Sequence, residues 1–209
     1  MTQTQQIDIS FLDKCLQLFM ELGVKSVSMQ DVAAATGTSK TSLYDSFSTK
    51  QELVDAVINY DFEFVTQNLD RIQKNSSNAI DELLQMSEFI IKRFGQCNPC
   101  LLFDLKKYYA TSWEKFMQLK QAFMNQHILT NLQRGQAENL YRKDFDEEII
   151  SRIYFSKMEA FFDDQVFPQS RFHFVMVHKE YIIYHLRGIA SKKGHEILDI
   201  SLSLKNRIA

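Results

Sequence analysis

The sequence has 209 residues, 45% of them hydrophobic and 24% charged, and this ordinary globular balance excludes a disordered chain. Six glycines and two prolines make up about 4% of the chain, against about 12% in average usage. A β-sandwich or barrel needs many tight turns, so this scarcity disfavours an all-β fold. The net charge of −2 gives no indication of a nucleic-acid partner.

Cysteine content and apolar run length indicate the compartment. Three cysteines, an odd number, do not form a disulfide framework and favour a reducing cytoplasm. No basic segment followed by an apolar stretch opens the sequence, so no secretory signal is predicted. Uninterrupted apolar runs reach about four residues, far fewer than the ~20 that span a bilayer. We expect a soluble, cytoplasmic protein with no membrane partner.

The first predicted helices are short and clearly bounded. Residues 9–22 carry apolar side chains at three- and four-residue spacing and stop at the following glycine. Ser28 and Asp31 have the spacing of a capping box, which opens a second helix that Gly37 ends. Ser39 is the predicted N-cap of a third short helix.

Longer helices are predicted beyond these. Thr49 and Glu52 form a second capping-box pattern, and the helix that it starts runs to about Gln73. No repeat and no convincing strand is visible, so the chain is predicted to be all-α with about nine helices. After a polar linker at 75–78, apolar periodicity predicts helices at about residues 79–94, 99–109, 113–136, 146–167 and 172–189.

Two short helices joined around Gly37 have the geometry of a helix-turn-helix. Glycine supplies the left-handed conformation of the turn, and the second helix can then enter a DNA major groove. Any helical hairpin can contain a glycine, so this pattern alone is a weak signal. The flanking residues make it specific, because a first helix closing at Gly23 is followed in order by Ser28, Asp31-Val-Ala33, Gly37-Thr-Ser39, Leu43-Tyr44, Phe47 and Lys50-Gln-Glu52-Leu53.

This segment, FLDKCLQLFMELGVKSVSMQDVAAATGTSKTSLYDSFSTKQELVDAVI, resembles the N-terminal domain of the tetracycline-repressor (TetR) family. The resemblance implies a bacterial transcriptional regulator with a DNA-binding domain at residues 1–50, its helix-turn-helix at about 30–49. Residues 51–209 would form a helical effector-binding and dimerisation domain. It further implies a homodimeric repressor that binds a palindromic operator and is released by a small effector. No cofactor is implied.

Hydroxyls and helix N-termini dominate the chemistry of the predicted DNA-binding surface. Hydroxyl groups on the third helix can reach phosphates and base edges, and free N–H groups at a helix start favour a phosphate. Two lysines add cationic contacts. The predicted DNA-contacting residues are Ser28, Thr38, Ser39, Lys40, Thr41, Ser42, Tyr44, Ser46, Thr49 and Lys50.

The charge of this segment departs from a strongly basic DNA-binding domain. Residues 1–50 carry four lysines against five acidic residues, a net charge of −1, and no arginine precedes Arg71. The commonest specific contact, arginine to guanine, is therefore not offered by this segment. Asp45 would repel any phosphate that it faced.

Aromatic and methionine residues are abundant in the second part of the chain. Each one, taken alone, is more simply a core residue, but together they suit an apolar, adaptable pocket, since methionine repacks around different ligands. In proteins that this chain resembles, such positions surround the effector cavity. The predicted ligand-binding residues for an apolar effector are Met86, Phe89, Phe94, Phe103, Trp113, Phe116, Met117, Phe123 and His127.

The last predicted helix is apolar on more than one face. A helix with so broad an apolar surface must be buried from two sides. We therefore predict a two-fold dimer seam between this helix and the preceding one. The predicted interface residues are Ile150, Ile153, Tyr154, Met158, Phe161, Phe174, Val175, Tyr181, Ile182, Leu186 and Ile189.

Two weaker patterns leave alternatives open. Cys97 and Cys100 have the CxxC spacing of a dithiol centre, although no βαβ setting is predicted, and a thiol-based redox regulator is one alternative. His178 and His185 lie two turns apart with no Cys or Asp to complete a metal set, so we expect them at an interface or in solvent. No catalytic constellation is found, and a small helical enzyme is the other alternative.

Overall fold

A computed structural model describes residues 8–95, 98, 100–161, 163–168 and 170–205. These residues form ten α-helices and no strand, which confirms the all-α fold class with one helix more than predicted. None of the described helices combines the length and apolar character needed to cross a bilayer. The helices are α1 Ile9–Leu22, α2 Met29–Thr36, α3 Lys40–Ser46, α4 Lys50–Asn75, α5 Ala79–Phe94, α6 Cys100–Tyr108, α7 Ala110–Ala137, α8 Glu147–Ala160, α9 Phe174–Ile189 and α10 Lys192–Lys205.

The chain divides into two compact units. The first lies within Met1–Gln67 and Gln96–Lys120, and the second within Asn68–Gly95 and Gln121–Ala209. Helices α4 and α7 contribute residues to both. The predicted division into residues 1–50 and 51–209 concerns function and stays a prediction.

One hydrophobic cluster holds the first unit together. Residues 9–47, which comprise helices α1 to α3 with their loops and which we call the head, contribute most of it. Phe11 stacks on Phe47 with ring centroids 6.0 Å apart. Helices α4 and α6 complete the cluster. Its buried members are Cys15, Leu16, Phe19, Val24, Val27, Met29, Val32, Ala33, Leu43, Phe47, Leu53, Val54, Val57, Leu101 and Leu105.

A buried polar network fixes the start of α5 in the second unit. The Arg134 guanidinium donates to Glu82 Oε2 at 2.8 Å, to Glu138 Oε1 at 2.7 Å and to Ser76 Oγ at 2.7 Å. The Tyr141 hydroxyl donates to the Ala79 carbonyl oxygen at 3.0 Å. Because Arg134 lies on α7, these bonds tie the turn before α5 to α7, and α5 in turn packs against α9 and α10.

An aromatic cluster with two histidines fills the core between α8 and α9. His185 lies edge-on to Tyr154, with centroids 4.8 Å apart, and His178 is edge-on to Phe161 at 5.9 Å. The Tyr181 hydroxyl donates to the Tyr154 carbonyl oxygen at 3.2 Å. We call this set the histidine–aromatic cluster; it consists of Tyr154, Phe161, Phe174, His178, Tyr181 and His185.

Both histidines of the cluster are buried, so the expectation of interface or solvent positions is wrong for the single chain. His178 is 1% exposed and His185 8%. Neither nitrogen of His178 has a hydrogen-bond partner, and neither does His185 Nε2. Burial lowers the pKa of each imidazole to about 4, because the charged form loses its hydration. Each ring is therefore neutral at physiological pH, and each unpaired buried group costs about 1–3 kcal/mol.

Lowering the pH from about 6.5 to about 4 is expected to lower the free energy of unfolding steeply. In this window an unfolded histidine, with a pKa of about 6.5, binds a proton that folded His178 and His185 do not bind. Stability is thus present above about pH 6.5 and lost by about 1.4 kcal/mol per pH unit for each histidine as the pH falls.

Urea unfolding at stepped pH values measures this slope. The double substitution His178→Phe and His185→Phe should flatten it by up to twice that amount, whereas His173→Phe, at an exposed position, should leave it unchanged. An equal slope in the double variant and the unsubstituted protein would contradict the assignment.

Candidate functional site

Helices α2 and α3 meet at a glycine turn. Gly37 has φ 73° and ψ 18°, the left-handed conformation, and its N–H donates to the Ala33 carbonyl oxygen. A Cβ atom added at Gly37 would meet nothing within 4 Å, so the backbone conformation alone demands glycine here. Leu43 is the buried residue of α3, and the rest of this seven-residue helix lies at the surface or half-buried.

All ten predicted DNA-contacting residues lie in the first unit. Seven are exposed, while Thr38, Ser42 and Lys50 are half-buried. On α3, Lys40, Thr41 and Tyr44 present an ammonium and two hydroxyls to solvent, with Tyr44 43% exposed. The surface of α3 is therefore a row of hydroxyls with one cation at its start and one carboxylate, that of exposed Asp45, near its end.

Part of this hydroxyl surface also has an internal role. Ser39 Oγ accepts from the Ser42 N–H at 3.1 Å and donates to Ser42 Oγ at 2.9 Å. Ser46 Oγ donates to the Ser42 carbonyl oxygen at 3.0 Å. A hydroxyl that donates once keeps lone pairs, but the internal bonds fix its direction. Thr41 and Tyr44 are the hydroxyls of α3 for which the structure gives no such bond.

Carboxylates occupy the helix N-termini where phosphate contacts are predicted. Ser28 Oγ accepts from the Asp31 N–H at 3.2 Å, and Asp31 Oδ2 accepts from Ser28 Oγ at 2.7 Å. These bonds lower the pKa of Asp31, so its negative charge is present at the start of α2. Thr49 caps α4 in the same way, accepting from the Glu52 N–H at 3.2 Å. A phosphate at either end would lie near a negative charge.

Lys50 is held inside the first unit. Its Nζ donates to the Val24 carbonyl oxygen and lies 5.8 Å from the centre of the Tyr109 ring. Burial lowers the pKa of Lys50, partly offset by the negative charges of Asp104 and Asp31. The phosphate contact of Lys50 stays a prediction, and in this conformation the Lys50 ammonium is already hydrogen-bonded to a backbone carbonyl oxygen. Lys40, by contrast, is exposed.

Helix α6 anchors the loop between α1 and α2, which the sequence did not indicate. Buried Asp104 accepts through Oδ2 from the Lys25 N–H at 2.9 Å, and the Lys25 Nζ donates to the Tyr108 hydroxyl at 2.8 Å. Just before α6, Asn98 donates through Nδ2 to the Glu21 carbonyl oxygen at 3.1 Å. The partners lie 77 to 83 residues apart, and no local pattern could reveal such pairs.

A small apolar cavity lies in the second unit, beside the histidine–aromatic cluster. Counting only the space open to the centre of a water molecule, its volume is about 10 Å³, room for about one water. Its walls are mostly aliphatic, and none of the lining side chains is charged at neutral pH. The lining residues are Leu69, Met86, Ser87, Ile90, Ile128, Tyr154 and His178.

The predicted ligand-binding residues are dispersed. Met86 lines the cavity and is buried, and buried His127 pairs through Nε2 with Asp70 Oδ1 at 3.2 Å. Burial, its largest influence, lowers the pKa of His127. Phe103 is 58% exposed and belongs to the first unit. The remaining six predicted ligand-binding residues are half-buried. Trp113, Phe116 and Met117 lie in the first unit, and Phe89, Phe94 and Phe123 lie in the second.

Most predicted dimer-seam residues are buried inside the single chain. Both apolar faces of α9 are covered by the chain's own helices, so these side chains have little surface to offer a partner. Ile153 alone among them is exposed, at 46%, and the side chain of Met158 lies outside the described residues. Ile150, Val175 and Tyr181 are half-buried, and the fully buried ones are Tyr154, Phe161, Phe174, Ile182, Leu186 and Ile189.

The structure describes one of the two cysteines of the CxxC pattern. Cys100 is the exposed first residue of α6, whereas Cys97 lies outside the described residues. Cys15 is buried in the first unit, and burial raises the pKa of its thiol to about 12. Across the described residues, no group of three or more His, Cys, Asp or Glu side chains could hold a metal ion.

Known proteins share this arrangement. Residues 11–57 match the family described as bacterial regulatory proteins, tetR family. The HTH-type transcriptional regulator YvaF of Bacillus subtilis is 34% identical over 108 residues, which are 51% of this chain and 56% of that protein. The matched part thus spans little more than half of the relative's length.

Solved structures share the fold over nearly the whole chain. A TetR-family regulator from Agrobacterium tumefaciens superimposes with a TM-score of 0.70 at 14% identity, covering 87% of this chain and 96% of the other. A TetR-family regulator from Cytophaga hutchinsonii gives 0.69 at 16% identity, covering 92% and 99%. The helix-turn-helix at residues 29–46 lies within the segment that matches the tetR family, and the likeness of the whole chain to these solved structures is one of fold.

Proposed function

We propose that this chain is a non-enzymatic transcriptional repressor that binds a palindromic DNA operator as a homodimer and releases it when a small apolar effector binds. The observation that carries the proposal is the α2–Gly37–α3 turn, which presents an exposed row of hydroxyls on a short helix. A helix so placed fits a major groove, with its first residues against base edges.

The proposed head reads DNA with few cations. Lys40 is exposed at the start of α3, while the ammonium groups of Lys25 and Lys50 are hydrogen-bonded within the first unit. Thr41 and Tyr44 supply hydroxyls to phosphates and base edges. Because counterion release scales with the number of phosphates neutralised by cations, the affinity should depend only weakly on salt.

The proposed dimer uses outward residues of α8 and α9. On α8, Ile149 and Ile153 are 56% and 46% exposed, four residues apart. On α9, Met176 and Tyr184 are 45% and 78% exposed, eight residues apart, so each pair shares one helical face. Helices α8 and α9 contact each other through Tyr154 and Tyr181, and exposed apolar residues on such neighbouring helices are typical of an association surface.

The proposed effector site is the cavity of the second unit. Its aliphatic walls suit an apolar molecule, and Met86 can repack around one. At about 10 Å³ the cavity admits no molecule of effector size without expansion. An effector that binds an expanded conformation better than the DNA-bound one would release the operator, since only differential affinity shifts the equilibrium.

Titration of operator and scrambled DNA at several salt concentrations tests the head. The dimer should prefer a palindrome with half-sites about one helical turn, or ~34 Å, apart. Lys40→Ala should weaken binding to both DNAs alike and reduce the slope of log affinity against log salt by about one unit per neutralised phosphate. Thr41→Ala should instead change the preference at particular base pairs.

Lys74→Ala is the matched control, because it removes the same charge from an exposed lysine in the last turn of α4. It should leave both affinity and slope unchanged. Equal affinity for operator and scrambled DNA at every salt concentration would remove DNA recognition from the proposal.

Sedimentation velocity tests the dimer. Tyr184→Glu combined with Ile153→Glu should give a folded monomer, because a charge replaces exposed apolar surface at the proposed contact. Leu22→Glu, at a position 51% exposed on α1, should remain dimeric. Ile182→Asp should instead unfold the second unit, because that side chain is 4% exposed. An unsubstituted protein that sediments as a monomer at micromolar concentration would refute the dimer.

A further inference from the structure

The cavity beside the histidine–aromatic cluster has a polar end as well as apolar walls. Resting on the effector response proposed above, we infer that this cavity takes an uncharged, apolar molecule bearing a hydroxyl group, which hydrogen-bonds to the imidazole of His178.

The geometry of His178 singles it out. Among the residues that line the cavity it is the one whose side-chain nitrogens both lack a hydrogen-bond partner, and it is 1% exposed. Its ring packs against the rings of Phe161 and Phe174, whose centroids are 5.9 and 5.4 Å away. The two phenylalanine rings offer no conventional hydrogen bond to the imidazole. The unpaired nitrogens of His178 can therefore hydrogen-bond to a molecule that enters the cavity.

A hydroxyl group matches a neutral imidazole. One ring nitrogen donates and the other accepts, and a hydroxyl does both. The cavity volume of about 10 Å³ is that of one water, so a ligand hydroxyl fits the space that already exists. A ligand hydroxyl that makes the same hydrogen bonds as a water costs no binding free energy at the polar end. Burial of the apolar part of the ligand then adds favourable binding free energy.

A carboxylate does not match. The aliphatic walls formed by Leu69, Ile90 and Ile128 supply no cation to balance its charge. Pairing with a protonated His178 would require a proton at neutral pH on a group whose pKa burial lowers to about 4. Three pH units above that value the protonated fraction is about one in a thousand, and a carboxylate would bind weaker in proportion.

The apolar part of the ligand requires the walls to move. Met86 and Ile90 lie on α5, Ile128 on α7 and His178 on α9, so a ligand larger than water must separate these three helices. Met86 is the adaptable member, since its unbranched side chain accepts several packings. The anchor at His178 thus determines which molecule can hold the helices apart.

Three matched probes test the inference by isothermal titration calorimetry on the full chain near neutral pH: 2-naphthol, naphthalene and 2-naphthoate. They share one aromatic skeleton and differ in a hydroxyl, no polar group and a carboxylate. We expect 2-naphthol to bind about tenfold or more tighter than naphthalene, and 2-naphthoate to bind weakest.

Substitutions at His178 then locate the polar contact. His178→Phe keeps a ring but removes both nitrogens, and should abolish the preference for 2-naphthol over naphthalene. His178→Gln keeps a donor and an acceptor and should retain part of it. His173→Phe, at the exposed N-cap of α9, is the matched control and should behave as the unsubstituted protein.

A measurement on the unsubstituted protein removes dependence on variant folding. The ¹⁵N signals of the His178 ring should shift on addition of 2-naphthol and not of naphthalene. Equal affinity for 2-naphthol and naphthalene, unshifted ring signals, or binding of none of the three probes would overturn the inference. None of these results touches operator binding, whereas loss of operator recognition would overturn the proposed function and leave the preference for 2-naphthol standing.

Discussion

The head depends on a core that it cannot build alone. Helices of 14, 8 and 7 residues bury too little apolar surface to be stable by themselves, so Leu53 and Val57 of α4 and Leu101 and Leu105 of α6 complete the cluster. Asp104 then fixes the loop before α2 by accepting from the Lys25 N–H. The position of α3 is therefore set by α4 and α6 as much as by the turn at Gly37.

Local chemistry determined what the sequence could predict of the fold. Ser28 and Ser39 begin α2 and α3 as their capping patterns indicate, because a cap and its partner lie within four residues. Helix α10 was not predicted. In the structure Gly194 lies inside α10, where a Cβ would overlap the Leu140 carbonyl oxygen. A glycine kept for close approach cannot be distinguished in sequence from one kept for its flexibility.

The candidate sites were harder to predict because they depend on what covers each helix. Periodicity indicated two apolar faces on α9, but it gives the width of an apolar face and not the identity of its neighbour. The chain's own helices cover residues such as Ile182 and Leu186, whereas Met176 and Tyr184 are exposed. The expectation that His178 lies at an interface or in solvent is wrong for the same reason, since an imidazole in an apolar stripe gives no sign of its burial. Lys50 has a long side chain whose partner, the Val24 carbonyl oxygen, is 26 residues away.

The small size of the cavity has a kinetic consequence. Because about 10 Å³ admits nothing larger than water, an effector that bound in this cavity would have to wait for α5, α7 and α9 to part before it could enter. If opening comes first, the observed association rate rises with effector concentration only until it equals the opening rate. Chemically different effectors would then share one plateau rate, a property of the protein alone, and would differ in how long they stay. The apparent affinity for each effector would also be weaker than its intrinsic affinity for the open conformation. The factor is the fraction of protein molecules that are open.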